Sequence, residues 1–313
     1  MNIESQIISN PVARALKIVG DRWTILILRD AFLGRHKFSE FREYTQIARG
    51  TLTNRLEFLI EQGVLHKVLY SQSPARFEYK LTPKGLALYP WALLIWEWET
   101  HWVEQPQNTM PSVLKHNVQE QHNITPVCVC RHCHEEVKYK DVGRVFDKTV
   151  KYIPTGKPVD SMNNHRRSRG GKVPDADHRL GHIIEIIGDR WSTLIVASIF
   201  LGLSRYDDFH QNLGISTNIL ADRLKLLVEL AVLTRSRYQK SPPRYEYKLT
   251  EKGESLYSMT MALRQWALDY LPPMERPFKL VHNTCGNDLD VDVICSICSN
   301  KPLPMDVGFE VHK

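Results

Sequence analysis

No apolar stretch in this sequence approaches the ~18 to 20 residues needed to cross a bilayer, and the mean hydropathy is −0.33. The first residues, MNIESQIISNPVARALK, show no basic start followed by an apolar run. No secretory signal is therefore visible, and a cytoplasmic protein without membrane contact is expected. There is no G-x-S-x-G, no H-E-x-x-H and no phosphate-cradling glycine loop, so an enzyme is not expected. A strong charge of one sign is also missing: 41 Lys plus Arg stand against 35 Asp plus Glu, a net +6. So mild an excess fits a nucleic-acid binder and many soluble enzymes alike. Cysteine is scarce, with six in all and none in 1–127 or 178–284.

Those six fall as Cys128, Cys130 and Cys133, then Cys285, Cys295 and Cys298. Two C-x2-C pairs in a chain without a visible signal point to metal ligands before disulfides. The set His282, Cys285, Cys295 and Cys298 supplies one imidazole and three thiolates, enough for a closed, structural zinc site. The first tail offers a weaker set, His116, Cys130 and Cys133. There Gln119 stands where Cys285 would match, and Cys128, His122, His132 or His134 is left to substitute. Reduced thiols without metal are the alternative for both tails.

With 313 residues, 42% of them hydrophobic, the chain has the length of two domains. Self-comparison divides it more sharply. Residues 20–89 align without a gap to 188–257, with about 31 of 70 positions identical. GDRW recurs, FLG recurs, and SPARFEYKLTPKG at 73–85 returns as SPPRYEYKLTEKG at 241–253. A spacing this long exceeds the ~20 to 50 residues of a solenoid repeat, so one domain has been duplicated.

One copy reads as follows. Residues 11–19 have helical character, and 24–33 form a second, apolar helix ended by Gly34. Ser39 can cap a short third helix through Thr45. A fourth, 51–62, places Leu52, Leu56 and Leu59 on its core face and turns Thr51, Asn54 and Arg55 outward. Gly63 ends it. Two β-like runs, 64–72 and 76–82, join around Ser73-Pro74-Ala75, and Thr82 caps a long final helix from Pro83. This is the order of a winged helix-turn-helix: a polar-faced helix for the major groove, and a hairpin whose Arg76, or Arg244 in the second copy, reaches the backbone.

The string GDRWTILILRDAFLG…FSEF…LTNRLEFLIEQGVLHKVLYSQSPARFEYKLTPKG closely resembles the HxlR-type regulators, a branch of the MarR-like winged-helix proteins. The second copy matches with GDRWSTLIVASIFLG, YDDF, LADRLKLL and SPPRYEYKLTEKG. The resemblance implies a transcription regulator that binds double-stranded DNA as a dimer. It implies DNA contacts from Lys37, Ser39, Arg49, Thr51, Thr53, Asn54, Arg55 and Arg76, and from Arg205, Thr217, Asn218, Arg223 and Arg244. Arg55 and Arg223 can equally pair with a carboxylate inside their own domain. Two departures stand out in copy two: Asp222 replaces Asn54, and Ala231 replaces Gly63. A carboxylate facing phosphates is repelled unless it accepts from a cytosine amino group, so the second copy is expected to read a different half-site or to bind more weakly.

The last helix of each copy carries a heptad-like seam: Trp91, Ile95 and Trp98 in the first, Met259, Leu263 and Trp266 in the second. Such a seam favours pairing of the two copies within one chain, a pseudo-dimer, with a homodimer of chains as the alternative. The expected class is mainly α with small β-hairpin wings (α+β): two tandem winged helix-turn-helix domains, each followed by a short Cys-containing tail. The expected segments are 1–105, a Cys/His tail and basic linker 106–177 with His165-Arg166-Arg167-Ser168-Arg169, then 178–272 and the tail 273–313. The rival readings are an interaction partner without DNA binding, and a regulator that responds to zinc or redox state through its tails.

Overall fold

The computed structural model describes residues 10–103, 113–118, 120–146, 181–273, 276 and 278–309. The basic run 165–169 and Gln119 lie outside them. The first copy comprises α1 (Pro11–Val19), α2 (Arg22–Phe32), α3 (Phe38–Thr45), α4 (Arg49–Glu61), the hairpin β1 (Leu65–Gln72) and β2 (Ala75–Leu81), α5 (Pro83–Leu86) and α6 (Tyr89–Trp102). Its tail holds β3 (Leu114–His116), β4 (His122–Asn123), β5 (Pro126–Cys130) and β6 (Val142–Phe146). The second copy repeats the pattern as α7 (Gly181–Ile187), α8 (Arg190–Phe200), α9 (Tyr206–Leu213), α10 (Thr217–Glu229), β7 (Leu233–Gln239), β8 (Arg244–Leu249), α11 (Glu251–Glu254) and α12 (Leu256–Tyr270). Its tail holds β9 (Phe278–His282), β10 (Val291–Cys295) and β11 (Val307–Phe309).

Local chemistry sets the element ends. Asp21 accepts the backbone N–H groups of Trp23 and Thr24 at 3.2 Å, filling the orphan donors that open α2. The expected Ser39 cap is corrected: Lys37 is the N-cap of α3, and Ser39 lies exposed inside the helix. The Glu40 carboxylate does the capping instead, accepting the backbone N–H of His36 and of Lys37 at 2.8 Å each. The single final helix from Pro83 is also corrected, because it divides into α5 and α6. Thr82 caps the first piece, accepting from Gly85 N–H at 3.1 Å, and Pro90 in the first turn of α6 favours a fresh start there. Leu52, Leu56 and Leu59 of α4 are fully buried, as expected, where α4 packs on α2 and α3.

The described residues fall into two units, neither a consecutive stretch. One takes the described parts of Ile18–Val127, Ser168–Gly188 and Val293–Lys313. It holds α2 to α6 and the hairpin of the first copy, but its α7 comes from the second copy and packs on α2 and α6. The α7 backbone enters there by donating Ile183 N–H to Glu99 Oε2 at 2.9 Å, a buried carboxylate placed at a helix N-terminus. Strands β11, β3 and β4 form a three-stranded sheet, with Val307 opposite His116. Beneath it lies a small core of Tyr89, Leu93, Leu114, Ile124 and Cys295.

The other unit takes the described parts of Met1–Lys17, Cys128–Arg167 and Asp189–Asp292. It holds α8 to α12 and the hairpin of the second copy together with most of α1 from the first copy. Arg14 of α1 donates to Pro272 O at 2.7 Å. Strand β6 of the first tail pairs antiparallel with β9 of the second, from Val142–His282 to Phe146–Phe278. Arg131 joins the same tail to Asp269 and Asp292, at 3.0 Å each. The boundaries read from the sequence follow chain order, whereas each unit draws on both halves.

Candidate nucleic-acid interface and metal centres

In each copy the fourth helix buries one face and leaves the other open. On α4, Arg49 and Asn54 are exposed and Thr51 and Thr53 are half-buried; the Thr53 hydroxyl donates back to Arg49 O at 3.0 Å. On α10, Thr217, Asn218 and Asp222 are exposed, and Leu220, Leu224 and Leu227 are buried. Arg55 and Arg223 take the internal one of their two readings. The Arg55 guanidinium lies 3.4 Å from Asp21, and that of Arg223 lies 2.5 Å from Asp189, each largely buried. The carboxylate that caps α2 or α8 therefore also anchors the fourth helix.

Each hairpin carries exposed positive charge. Arg76 is exposed at the first tip, beside the cis Ser73–Pro74 bond. Arg244 occupies the matching place and pairs with Asp207 at 3.3 Å across the surface. Lys37 and Arg205 stand at the starts of α3 and α9, with their cations 5.4 Å and 4.8 Å from the rings of Tyr70 and Tyr238. These cations lie against aromatic rings toward the tips of the wings. The second wing adds Arg235 and Arg237, exposed on β7, with Arg235 over the Tyr245 ring at 4.5 Å. Sequence reasoning passed over this pair, although Arg235 and Arg237 alternate as one face of a strand must, before the register shifts ahead of Gln239.

The seam residues Trp91, Ile95, Trp98, Met259, Leu263 and Trp266 are all buried, as they would be in a seam between the copies or in a helix folded onto its own domain.

The tails place their Cys and His residues in two groups. His116, His122, Cys295 and Cys298 form one, and Cys130, Cys133, His282 and Cys285 the other; within each, all ligand atoms lie within 4.8 Å of one another. The expected quartet His282, Cys285, Cys295 and Cys298 is thus divided between the groups. The cause is β10. A five-residue strand spans about 16 Å, so the pair before β10 and the pair at its far end cannot share one ion. Strand β5 separates His122 from the Cys130–Cys133 turn in the same way. His122, one of the four possible substitutes, completes the first group. Cys128 belongs to neither; it is buried, which pushes its thiol up to about 12.

Edges within both groups lie close to those of a tetrahedral site. Bond lengths of about 2.3 Å to sulfur and 2.0 Å to nitrogen give ligand-to-ligand edges of about 3.8 Å for S–S and 3.5 Å for S–N. The edges observed are His116 Nδ1–Cys298 Sγ 3.4 Å, His122 Nε2–Cys295 Sγ 3.3 Å, Cys133 Sγ–His282 Nδ1 3.3 Å, Cys285 Sγ–His282 Nδ1 3.6 Å and Cys130 Sγ–Cys285 Sγ 4.0 Å. Two thiols are primed to ionise. Cys285 is lowered to about 6 by the Asn287 backbone N–H, helped by His282 and Cys133. Burial opposes ionisation of Cys295, but the backbone N–H groups of Thr125, Ile297 and Cys298, with His122, outweigh it and hold the thiol at about 6. These clusters can hold metal ions.

Helix, hairpin and tail recur in both halves, and the family model for the HxlR-like helix-turn-helix matches the sequence twice, at residues 18–107 and 186–275. The chain belongs to the HxlR-like family.

Its relatives are named as transcription regulators. The uncharacterized HTH-type transcriptional regulator MT3179 of Mycobacterium tuberculosis (strain CDC 1551 / Oshkosh) is 40% identical over 135 residues, which is 41% of this chain and 85% of that protein. The uncharacterized HTH-type regulator YdeP of Bacillus subtilis (strain 168) is 37% identical over 89 residues, 28% of this chain and 70% of its own. Among solved structures, the redox regulator HypR in its reduced form is 32% identical, covers 29% of this chain and 92% of its own, and aligns with a TM-score of 0.28. This HxlR-like chain is a tandem duplication with the α+β winged-helix composition, and its family is one of regulators, not enzymes. No helix among its described residues is long and apolar enough to cross a membrane.

Proposed function

We propose that the chain is a DNA-binding transcription regulator in which one polypeptide acts as a pseudo-dimer and reads two unequal half-sites. Helices α4 and α10 enter successive major grooves, and the two wings track the backbone. The observation that carries this reading is the repeated pairing of a leucine-anchored helix, open on its outer face, with a cationic hairpin beside it. Thr51, Thr53 and Asn54, with Arg49, face the bases in copy one; Thr217 and Asn218 do so in copy two, where Asp222 accepts from a cytosine amino group. The exchange of α1 and α7 between the copies supports pairing within the chain, because each unit then contains elements of both. The tail clusters take structural zinc, since four protein ligands leave no open position for chemistry.

Binding assays on a selected operator and on random DNA test the reading. Asn54→Ala should cost about 1 to 3 kcal/mol on the operator and spare random DNA. Arg76→Ala should weaken both alike and reduce the salt slope by about one unit. Equal losses on both DNAs for Asn54→Ala, with an unchanged slope for Arg76→Ala, would remove α4 and its wing from the interface.

A further inference from the structure

Each metal cluster is assembled from both tails. The first tail gives His116 and His122 to one cluster and Cys130 and Cys133 to the other; the second tail gives His282 and Cys285 to that other and Cys295 and Cys298 to the first. We propose that the chain binds two divalent ions of the zinc class, one in a His2Cys2 site and one in a Cys3His site, and that the C-x2-C turn of each tail serves the histidine of the opposite tail. The inference rests on the structural-zinc reading above and deepens it, by fixing the number of ions and the origin of every ligand.

Three observations carry it. Two donor edges of the His2Cys2 cluster, 3.3 and 3.4 Å, and three of the Cys3His cluster, 3.3 to 4.0 Å, are close to those of a tetrahedral ion, and all four donors of each lie within 4.8 Å. The His116 and His282 rings are fully buried and turn Nδ1 toward the sulfurs, while their Nε2 atoms have no hydrogen-bond partner among the described residues. Finally, backbone pairing sets each exchange independently of any ion. Val142 lies opposite His282 in one sheet and His116 opposite Val307 in the other, so each histidine is fixed on a strand of the opposite tail before its sulfurs are added. Imidazole with thiolate selects zinc over calcium or magnesium, which prefer oxygen. Two thiolates leave the His2Cys2 zinc site neutral, whereas three give the Cys3His site one net negative charge; the two ions are therefore chemically distinct.

The test uses the full chain, cobalt(II) as a spectroscopic probe and zinc analysis of purified variants. Cobalt titration of the unmutated metal-free chain should saturate at two equivalents, with the visible spectrum of the first equivalent differing from that of the second. Zinc content should be two ions per chain. The double variant Cys133→Ser with Cys285→Ser removes two ligands of one cluster and should keep one zinc. Cys285→Ser with Cys298→Ser removes one ligand from each and should lose both. Ligation within each tail reverses that order: the first pair loses both ions and the second keeps one, and this result overturns the exchange while leaving the zinc reading intact. Saturation of the unmutated chain at one equivalent overturns the two-site assignment even if the variants fail to fold. Absence of bound zinc and cobalt alike overturns the zinc reading itself and this inference with it.

Discussion

Asp21 answers to two partners. Its carboxylate caps α2 through the Trp23 and Thr24 N–H groups and also receives the Arg55 guanidinium from α4. Asp189 and Arg223 repeat the arrangement, with Asp189 accepting from Ser192 N–H at 3.0 Å. An arginine on the outward side of a DNA-facing helix looks the same in a sequence whether it reaches a phosphate or a neighbour's carboxylate. Only the position of the preceding helix cap, some thirty residues earlier, separates the two. Because the pair is largely buried, Arg55→Ala should lower unfolding stability by about 1.5 to 3 kcal/mol, the range for hydrogen bonds to charged groups, while leaving the salt slope of DNA binding unchanged. Thermal melts and salt titrations on the same preparation check this, and a slope reduced as in Arg76→Ala would return Arg55 to the phosphate contacts.

Among the elements, the connection from the fourth helix to the wing is where the two copies part. Gly63 takes φ +67° after α4, and Ala231 takes φ +55° after α10. The methyl group of an alanine meets the carbonyl there, and the left-handed conformation costs roughly 1 kcal/mol. Ala231→Gly should therefore stabilise the protein by up to about 1 kcal/mol, less the entropy that glycine adds to the unfolded chain; denaturant titration reads it, and a loss of stability would show that the strain is relieved elsewhere. Gly85 and Gly253 obey the opposite rule. A Cβ on either would stand 2.2 Å from a backbone oxygen, Val64 O or Val232 O. Gly85→Ala should destabilise by about 1 to 3 kcal/mol, the cost of overpacking against atoms that cannot swing aside, and calorimetry on that variant checks it. The helices, hairpins and Thr82 cap were legible because each is written in a local period or a turn residue. The break after α5 was not, since the apolar spacing runs through it, with Pro90 the one local sign of the restart.

For the whole molecule, the duplication was plain from residues 20–89 and 188–257, but the partnership of the tails was hidden. Within 273–313 the spacing of His282, Cys285, Cys295 and Cys298 suggests one closed quartet. What divides it is the length of β10 and the arrival of a turn from about 160 residues earlier, neither of which a local pattern records. The pseudo-dimer reading makes its own prediction: sedimentation on DNA should give one 36.3 kDa chain on one site of two unequal halves about 10 bp apart. Two chains on a single such site would instead make the polypeptide a protomer. The mutual loan of α1 and α7 also has a consequence for how the protein is made. The first copy's helices and hairpin leave the ribosome by Trp102, yet their unit is complete only when β11 emerges roughly 200 residues later, a wait on the order of 10 to 40 s at ordinary synthesis rates. Until residues 181–187 emerge, early in that interval, the nascent first copy exposes the surface that α7 will cover, and the strand β11 completes the unit only later.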